Sequence, residues 1–265
     1  MPAVVDSAAG AIQRVAVTRS AEDALALAVA LESVGLTPLI TPLLRIAYRD
    51  SGALAERLAV WAEYDWIACT SRHAVDALAR ACVRANVSVH LLGMLRVAAV
   101  GGATASALAS LGIPVSVVPE EADAEHLAQS LLDTHPLPGA RVLFPRAADA
   151  RDVLPTVLRA QGLAVDEVVV YDTLPCPEGA TTLVAALSQN DLAAVTLASG
   201  SAARAFATMV DRALWSRTKL VSIGPTTTDV AHSLGLVIAA EADAPGIGAL
   251  AMAARRTVLD SLTHA

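Results

Sequence analysis

Aromatic residues are scarce in this chain, with two Phe, three Tyr and three Trp among 265 residues. That is too few for the stacking platforms on which single-stranded nucleic acid is held. Basic charge is also short: 19 Lys+Arg stand against 26 Asp+Glu, a net charge of −7. No positive field covers the molecule, which excludes duplex nucleic acid as its partner. The three cysteines, Cys69, Cys82 and Cys176, are odd in number, widely spaced and without a CxxC pair. They fit reduced thiols better than a disulfide framework or a zinc site. Six histidines show no HExxH spacing, so no metal is expected. There is no GxxxxGK[ST] phosphate loop and no GxSxG elbow, and the glycine turn at Val100–Thr104 lacks the GxGxxG of a dinucleotide fold. No cofactor is expected either. Residues 1–13 carry Asp6 and no basic stretch, which reads as a frayed tail and not as a secretory signal. Val97 to Pro119 runs 23 residues without a charge, long enough to cross a bilayer. Its internal Gly, Pro and hydroxyl residues fit a strand, turn, helix and second strand instead. A soluble, cytoplasmic protein is expected.

What the chain does have is apolar residues, 55% of the total against 17% charged, ample for a buried core. Short apolar runs alternate with helix-period stretches from end to end. Arg14–Thr18, Pro38–Ile46, Trp66–Thr70, Val97–Val100 and Val115–Val118 read as strands in the first half. Val142–Phe144, Val165–Tyr171, Val195–Ala198, Leu220–Ile223 and Val237–Ala240 do so in the second. Ala21–Val34, Ser71–Arg84, Thr104–Leu111 and Ala124–Leu132 read as helices. Wholly apolar strands alternating with helices predict an α/β fold with parallel sheets covered on both faces.

An internal repeat adds to this. The segment starting at Arg14 matches the one starting at Arg141 at an offset of 127, pairing Arg19 with Arg146, Gly35 with Gly162 and Leu36 with Leu163. The block from Trp66 matches that from Ala194 at offset 128, pairing Ser71 with Ser199. The block from Val100 matches that from Ile223 at offset 123, pairing Gly101 with Gly224 and Thr104 with Thr227. Three blocks in one order at a nearly constant offset predict two similar α/β units, with ligand bound in the cleft between them.

Ligands of parallel sheets sit beyond the carboxyl ends of the strands, so the strand-to-helix turns are candidate contacts. Four stand out: Thr70–Ser71–Arg72, Gly101–Gly102–Ala103–Thr104, Ser199–Gly200–Ser201 and Gly224–Pro225–Thr226–Thr227–Thr228. Each offers small residues, a hydroxyl and free N–H groups at a helix start, the chemistry of anion capture. The same hydroxyls also suit plain N-caps, and the two roles are compatible. Arg19 and Arg146 each follow the first strand of a copy and are candidates to face the ligand. His73 and His232 are expected on helices, at the surface or at an interface. Tyr171 ends the apolar strand EVVVYDT, either as a half-buried aromatic or as a proton donor.

The ordered set VTR (Val17–Arg19), DWIACTSRHAV (Asp65–Val75), VGGATASALASLG (Val100–Gly112), LFPRAADARDVLPTVLRAQG (Leu143–Gly162), VVYDT (Val169–Thr173), SGSAA (Ser199–Ala203) and IGPTTT (Ile223–Thr228) resembles the uroporphyrinogen-III synthases. The resemblance covers about Arg14 to Ala253. It implies two α/β domains joined by a two-stranded hinge, one of 14–43 plus 174–262 and the other of 47–170, with the active site in the cleft. It further implies closure of linear hydroxymethylbilane to uroporphyrinogen III, with loss of water and inversion of ring D, by a monomer without metal or cofactor. Tyr171 would assist hydroxyl departure. By the resemblance Ser71 and Thr227 would be substrate contacts, with Ser199 the matching one; the turns and the repeat add Arg19, Thr70, Gly102, Thr104, Arg146, Gly200, Ser201, Pro225 and Thr226. The competing class is a non-catalytic two-lobed module that closes on a small anionic metabolite.

Overall fold

The structure, a computed structural model, describes residues 13–244 and 246–263. The expected tail lies, but for Gln13, outside the described residues. The chain divides into two compact units: unit 1 comprises the residues up to Arg45 and those from Leu174 on, and unit 2 comprises Ile46–Thr173.

The sheet of unit 1 contains β1 (Arg14–Val17), β2 (Thr37–Ile40), β8 (Ala194–Leu197), β9 (Leu220–Ser222) and β10 (Ile238–Glu241), in the order β2-β1-β8-β9-β10, all parallel. Alternation along β1 explains its buried apolar run Val15–Val17. Val15 and Val17 pack with α1 (Ala21–Ser33) and α11 (Ile247–Thr263) on one face. Ala16 packs on the other, with α7 (Pro177–Ser188) and α8 (Gly200–Met209). A strand buried on both sides favours apolar residues, and the buried Thr196 of β8 is accommodated because its hydroxyl donates to the Ala16 carbonyl at 2.7 Å. The short α9 (Arg212–Trp215) precedes β9, and the last helix of the unit's crossovers, α10 (Pro225–Ser233), starts directly after that strand.

The sheet that carries unit 2 runs β3 (Leu44–Tyr48), β7 (Ala164–Pro175), β6 (Arg141–Ala147), β4 (Trp66–Cys69) and β5 (Arg96–Ala99). Trp66, Ala68, Val142 and Phe144 face α5 (Ala124–Leu132) and α6 (Val153–Ala160). Ile67, Cys69, Val97 and Leu143 face α2 (Gly52–Ala59), α3 (Arg72–Ala85) and α4 (Gly102–Ser110).

The pairing registers of the two sheets coincide under the offsets read from the sequence. Arg14 pairs with Thr37 as Arg141 pairs with Ala164, and Val15 with Ala194 as Val142 with Trp66. Val221 lies opposite Thr196 as Ala98 lies opposite Ala68. Val221 also pairs with Ala240 as Ala98 bridges Val117. The repeated glycines have a shared physical reason. Gly35 and Gly162 end α1 and α6 with φ of 81° and 82°, a left-handed conformation that suits glycine. The following Leu36 and Leu163 donate back to the carbonyls of Leu31 and Leu158, both at 3.0–3.1 Å, which closes each helix.

Two expected strands are corrected. Pro38–Ile46 is not one strand: it breaks at Thr41–Leu43 into β2 of one sheet and β3 of the other. Pro42 has no N–H to continue a ladder, and the Leu43 N–H turns to Thr18 O at 3.1 Å. Val115–Val118 shrinks to the single bridge at Val117, hemmed between Pro114 and Pro119. The uncharged stretch Val97–Pro119 resolves into β5, α4 and that bridge. Among the described residues, no helix is long and apolar enough to cross a membrane.

Candidate active site

A polar cluster of unit 2 forms beyond the carboxyl end of β4. Ser71 caps α3: its Oγ accepts from the Ala74 N–H at 3.1 Å. The same Oγ accepts from the Tyr171 hydroxyl at 3.0 Å. A serine oxygen takes two such bonds and keeps its own O–H to donate. Ser71 is therefore both a cap and a ligand-capable group, poised at the positive end of a helix.

Tyr171 arrives there through a bulge. Arg146 pairs with Val169, but Ala147 pairs with Tyr171, so β7 carries one extra residue at this point. Such a bulge re-aims the side chain that follows it. The backbone is pinned on both sides, by Arg49 N–H to Val170 O at 2.9 Å and Ala148 N–H to Tyr171 O at 3.0 Å. Next along the strand, Asp172 accepts a two-pronged bond from Arg49, both arms at 2.7 Å. The guanidinium holds the Asp172 carboxyl below the usual carboxylate range. Tyr171 itself is buried, 7% exposed, with its ring centroid 5.5 Å from that of His73 and 6.4 Å from that of Tyr48.

His73 is not the surface or interface residue expected from sequence; it is 6% exposed. The first turn of α3 carries it inward, where Tyr48 Oη lies 3.2 Å from its Nδ1. Tyr48 also donates to Asp76 at 3.0 Å, and the guanidinium carbon of Arg80 sits 4.2 Å from the Tyr48 ring centroid. Sequence reasoning missed Tyr48, Asp76 and Arg80. The available signal was the helical spacing of 73, 76 and 80, which puts three chemistry-bearing side chains on one face.

The other unit 2 candidates separate into open and closed positions. Thr70 is half-buried at the end of β4, and Gly102 is exposed at the start of α4. Thr104 is 4% exposed and turned into the unit. Arg146 is corrected. Its side chain is bound to Asp152 at 2.7 Å, to Glu167 and to the carbonyl of Ala150. A guanidinium 8% exposed and held by two carboxylates belongs to the internal bracing of β6 and β7, and it is not offered to an outside anion.

In unit 1 the equivalent turn keeps the cap without the phenol. Ser199 Oγ accepts from Ala202 N–H at 3.1 Å, and Ser199 is exposed. Gly200 lies where a Cβ would come within 3.1 Å of Val230, so it lets α8 pack on α10. Ser201 is half-buried, and Pro225 and Thr226 are exposed at the start of α10. Thr227, like Thr104, is buried, at 5%. The next hydroxyl, Thr228, belongs to the turn marked from sequence but not to the expected substrate contacts. It donates to Glu241 and lies 2.6 Å from Ser222 Oγ, which ties the turn to β10. Arg19 stays more open than Arg146, with 25% of its side chain exposed and Asp23 3.6 Å away.

A family model described as Uroporphyrinogen-III synthase HemD matches residues 26–252. The chain belongs to the uroporphyrinogen-III synthase family. It is 29% identical over 228 residues to a uroporphyrinogen-III synthase of Synechococcus elongatus, covering 82% of this chain and 84% of that one. It is 27% identical to a porphyrin biosynthesis protein HemD of Ruminiclostridium josui, over 84% of this chain and 44% of that one. Among solved structures, a mutant uroporphyrinogen III synthase of Thermus thermophilus matches with TM-score 0.65 at 21% identity, over 93% of this chain and 99% of that one. The Helicobacter pylori enzyme matches with TM-score 0.58 at 19% identity, over 87% and 94%. These structures support the α/β fold with two mainly parallel sheets, and the family match disfavours the reading as a non-catalytic binding module. Of the family's candidate residues, the structure brings Tyr171 and Ser71 into direct contact.

Proposed function

We propose that the chain converts hydroxymethylbilane to uroporphyrinogen III as a cytoplasmic monomer, a hydro-lyase that uses no metal or cofactor. The family match over residues 26–252 carries this reading, and the Tyr171–Ser71 contact supports its chemical assignment. In this reading Tyr171 delivers a proton to the departing hydroxyl, water leaves, and an azafulvene cation remains. Attack by the substituted carbon of ring D forms a spiro intermediate, which fragments and recloses with that ring inverted. Loss of a proton from the newly bonded ring carbon discharges the cation and returns the proton that Tyr171 gave. The enzyme's task is to present one carbon of a flexible chain ahead of another, a problem of orientation.

The substrate's carboxylates then fall to N–H groups and hydroxyls at strand-to-helix turns of both units: Thr70, Ser71 and Gly102 in unit 2, and Ser199, Gly200, Ser201 and Thr226 in unit 1, with Arg19 as the basic contact. Pro225, which has no N–H to give, contributes only its ring at the start of α10. Thr104 and Thr227 serve by shaping their turns, and Arg146 drops out of the set. The matching registers of the two sheets support descent of both units from one duplicated ancestor, linked through β3 and β7.

The deciding experiment supplies the purified protein with enzymatically generated hydroxymethylbilane, oxidises the products and separates the uroporphyrin isomers. Isomer III in excess of the enzyme-free blank is expected. Isomer I alone, as in the blank, overturns the assignment.

A further inference from the structure

Tyr48, His73 and Asp76 form a chain that ends against Tyr171. Tyr48 gives its proton to Asp76 at 3.0 Å, so its oxygen is left to accept from His73 Nδ1 at 3.2 Å. That assigns the His73 proton to Nδ1 and fixes the plane of the imidazole. The imidazole in turn meets the Tyr171 ring edge to face, at 64° between planes, a geometry that aromatic pairs favour. Tyr171 is thus held by two rings along its body and by Ser71 at its hydroxyl. We propose that Asp76, Tyr48 and His73 are positioning residues for Tyr171, setting where its hydroxyl is presented. This rests on the synthase reading above.

The repeat argues that the fold does not need this cluster. Ser201 and Arg204 of unit 1 stand where unit 2 has His73 and Asp76, and Leu44 and Pro175 stand where it has Tyr171 and Tyr48. Unit 1 builds the corresponding sheet and the same serine-capped helix with none of the four. A buried imidazole bonded to a phenol is harder to accommodate than apolar packing, because each polar group must find its partner. Its occurrence in one unit, around the one tyrosine that touches Ser71, marks it as serving Tyr171.

Tyr48→Phe is the sharpest variant: it keeps the ring and its contact with Arg80 and removes only the bridging hydroxyl. We expect kcat for isomer III to fall about fivefold, the size of an ordinary coupling between neighbouring groups, with KM unchanged and the thermal midpoint lowered because buried His73 loses a partner. In a Tyr171→Phe background the same change should cost nothing further; a full additional fivefold loss overturns the proposal. His73→Asn, which returns an N–H near the place of Nδ1, should recover part of the rate lost in His73→Leu, and equal losses overturn it. A readout independent of turnover uses 13Cζ-tyrosine, since the chain has only three tyrosines. The Tyr171 resonance, assigned by its loss in Tyr171→Phe, should shift in Tyr48→Phe. An unmoved resonance overturns the positioning role even if isomer III forms. A shifted resonance in a protein yielding only isomer I supports the positioning role and overturns the synthase reading instead.

Discussion

Ser71 and Ser199 occupy one position in two similar units, and both accept an N–H bond three residues on at 3.1 Å. There the likeness ends. Ser71 also receives a tyrosine hydroxyl, while Ser199 has Leu44 at the matching strand position and is exposed. The turn is common to both units, and what unit 2 adds to it is a phenol on the capping oxygen. A second pair teaches the converse. Gly52 and Gly179 match at the same offset of 127, yet a Cβ on Gly52 would meet only the ends of the Asp50 and Arg84 side chains. On Gly179 it would fall 1.9 Å from Pro42 O. There α7 lies directly on the backbone where the chain turns from β2 toward β3, so one glycine is obligatory and its counterpart is not.

The largest effect should come from that second pair. Gly179→Ala is expected to lower stability by about 3 kcal/mol or more, since backbone cannot yield as a side chain can. Gly52→Ala should stay within about 1 kcal/mol of wild type, because flexible ends move aside. Urea midpoints of the two variants measure the contrast, and equal midpoints would abolish it. Next comes Tyr171→Phe, expected to slow isomer III formation by about tenfold or more with little change in stability. An unchanged rate would make Tyr171 a packing residue only.

The two caps then separate fold from chemistry. Ser71→Ala and Ser199→Ala should each cost about 1 kcal/mol of stability as lost N-caps. Only Ser71→Ala should also reduce kcat with a shift in its pH profile, since it removes the Ser71 oxygen that accepts from the Tyr171 hydroxyl. Matching losses of kcat in both variants would put the phenol contact out of account. The smallest effect lies at the far end of the unit 2 sheet. Burial, and then the bond to Asp166, push the Tyr64 phenol up to about 12. A folded value above the ordinary one means the stabilisation is complete below about pH 10 and fades as pH rises toward 12. Tyr64→Phe should flatten that alkaline slope in thermal unfolding, and an unaltered slope would assign it to other groups.

Much of this was readable before any coordinates. Apolar runs buried on both faces can only be central strands, and Gly35 and Gly162 advertise helix ends because few other residues adopt their φ. Register followed too, since the three sequence offsets are the offsets of strand pairing. The site was less readable. Arg146 matched Arg19 by position, but Glu167 and Asp152 claimed it, and no pattern within one copy announces which carboxylates a strand neighbour will bring. His73 resembled a surface histidine because its partners, Tyr48 and Tyr171, come from strands 25 and 98 residues away in the chain.

The sequence by itself therefore determined the α/β class, the repeated turns and the tyrosine worth watching. These follow from local periodicity, φ preference and the end-to-end similarity of two segments. Tertiary structure alone decided which hydroxyls are buried, which arginine is spent internally and what surrounds the tyrosine. Those depend on pairing across strands and on one bulge at Val170, where a single added residue redirects the Tyr171 side chain onto Ser71.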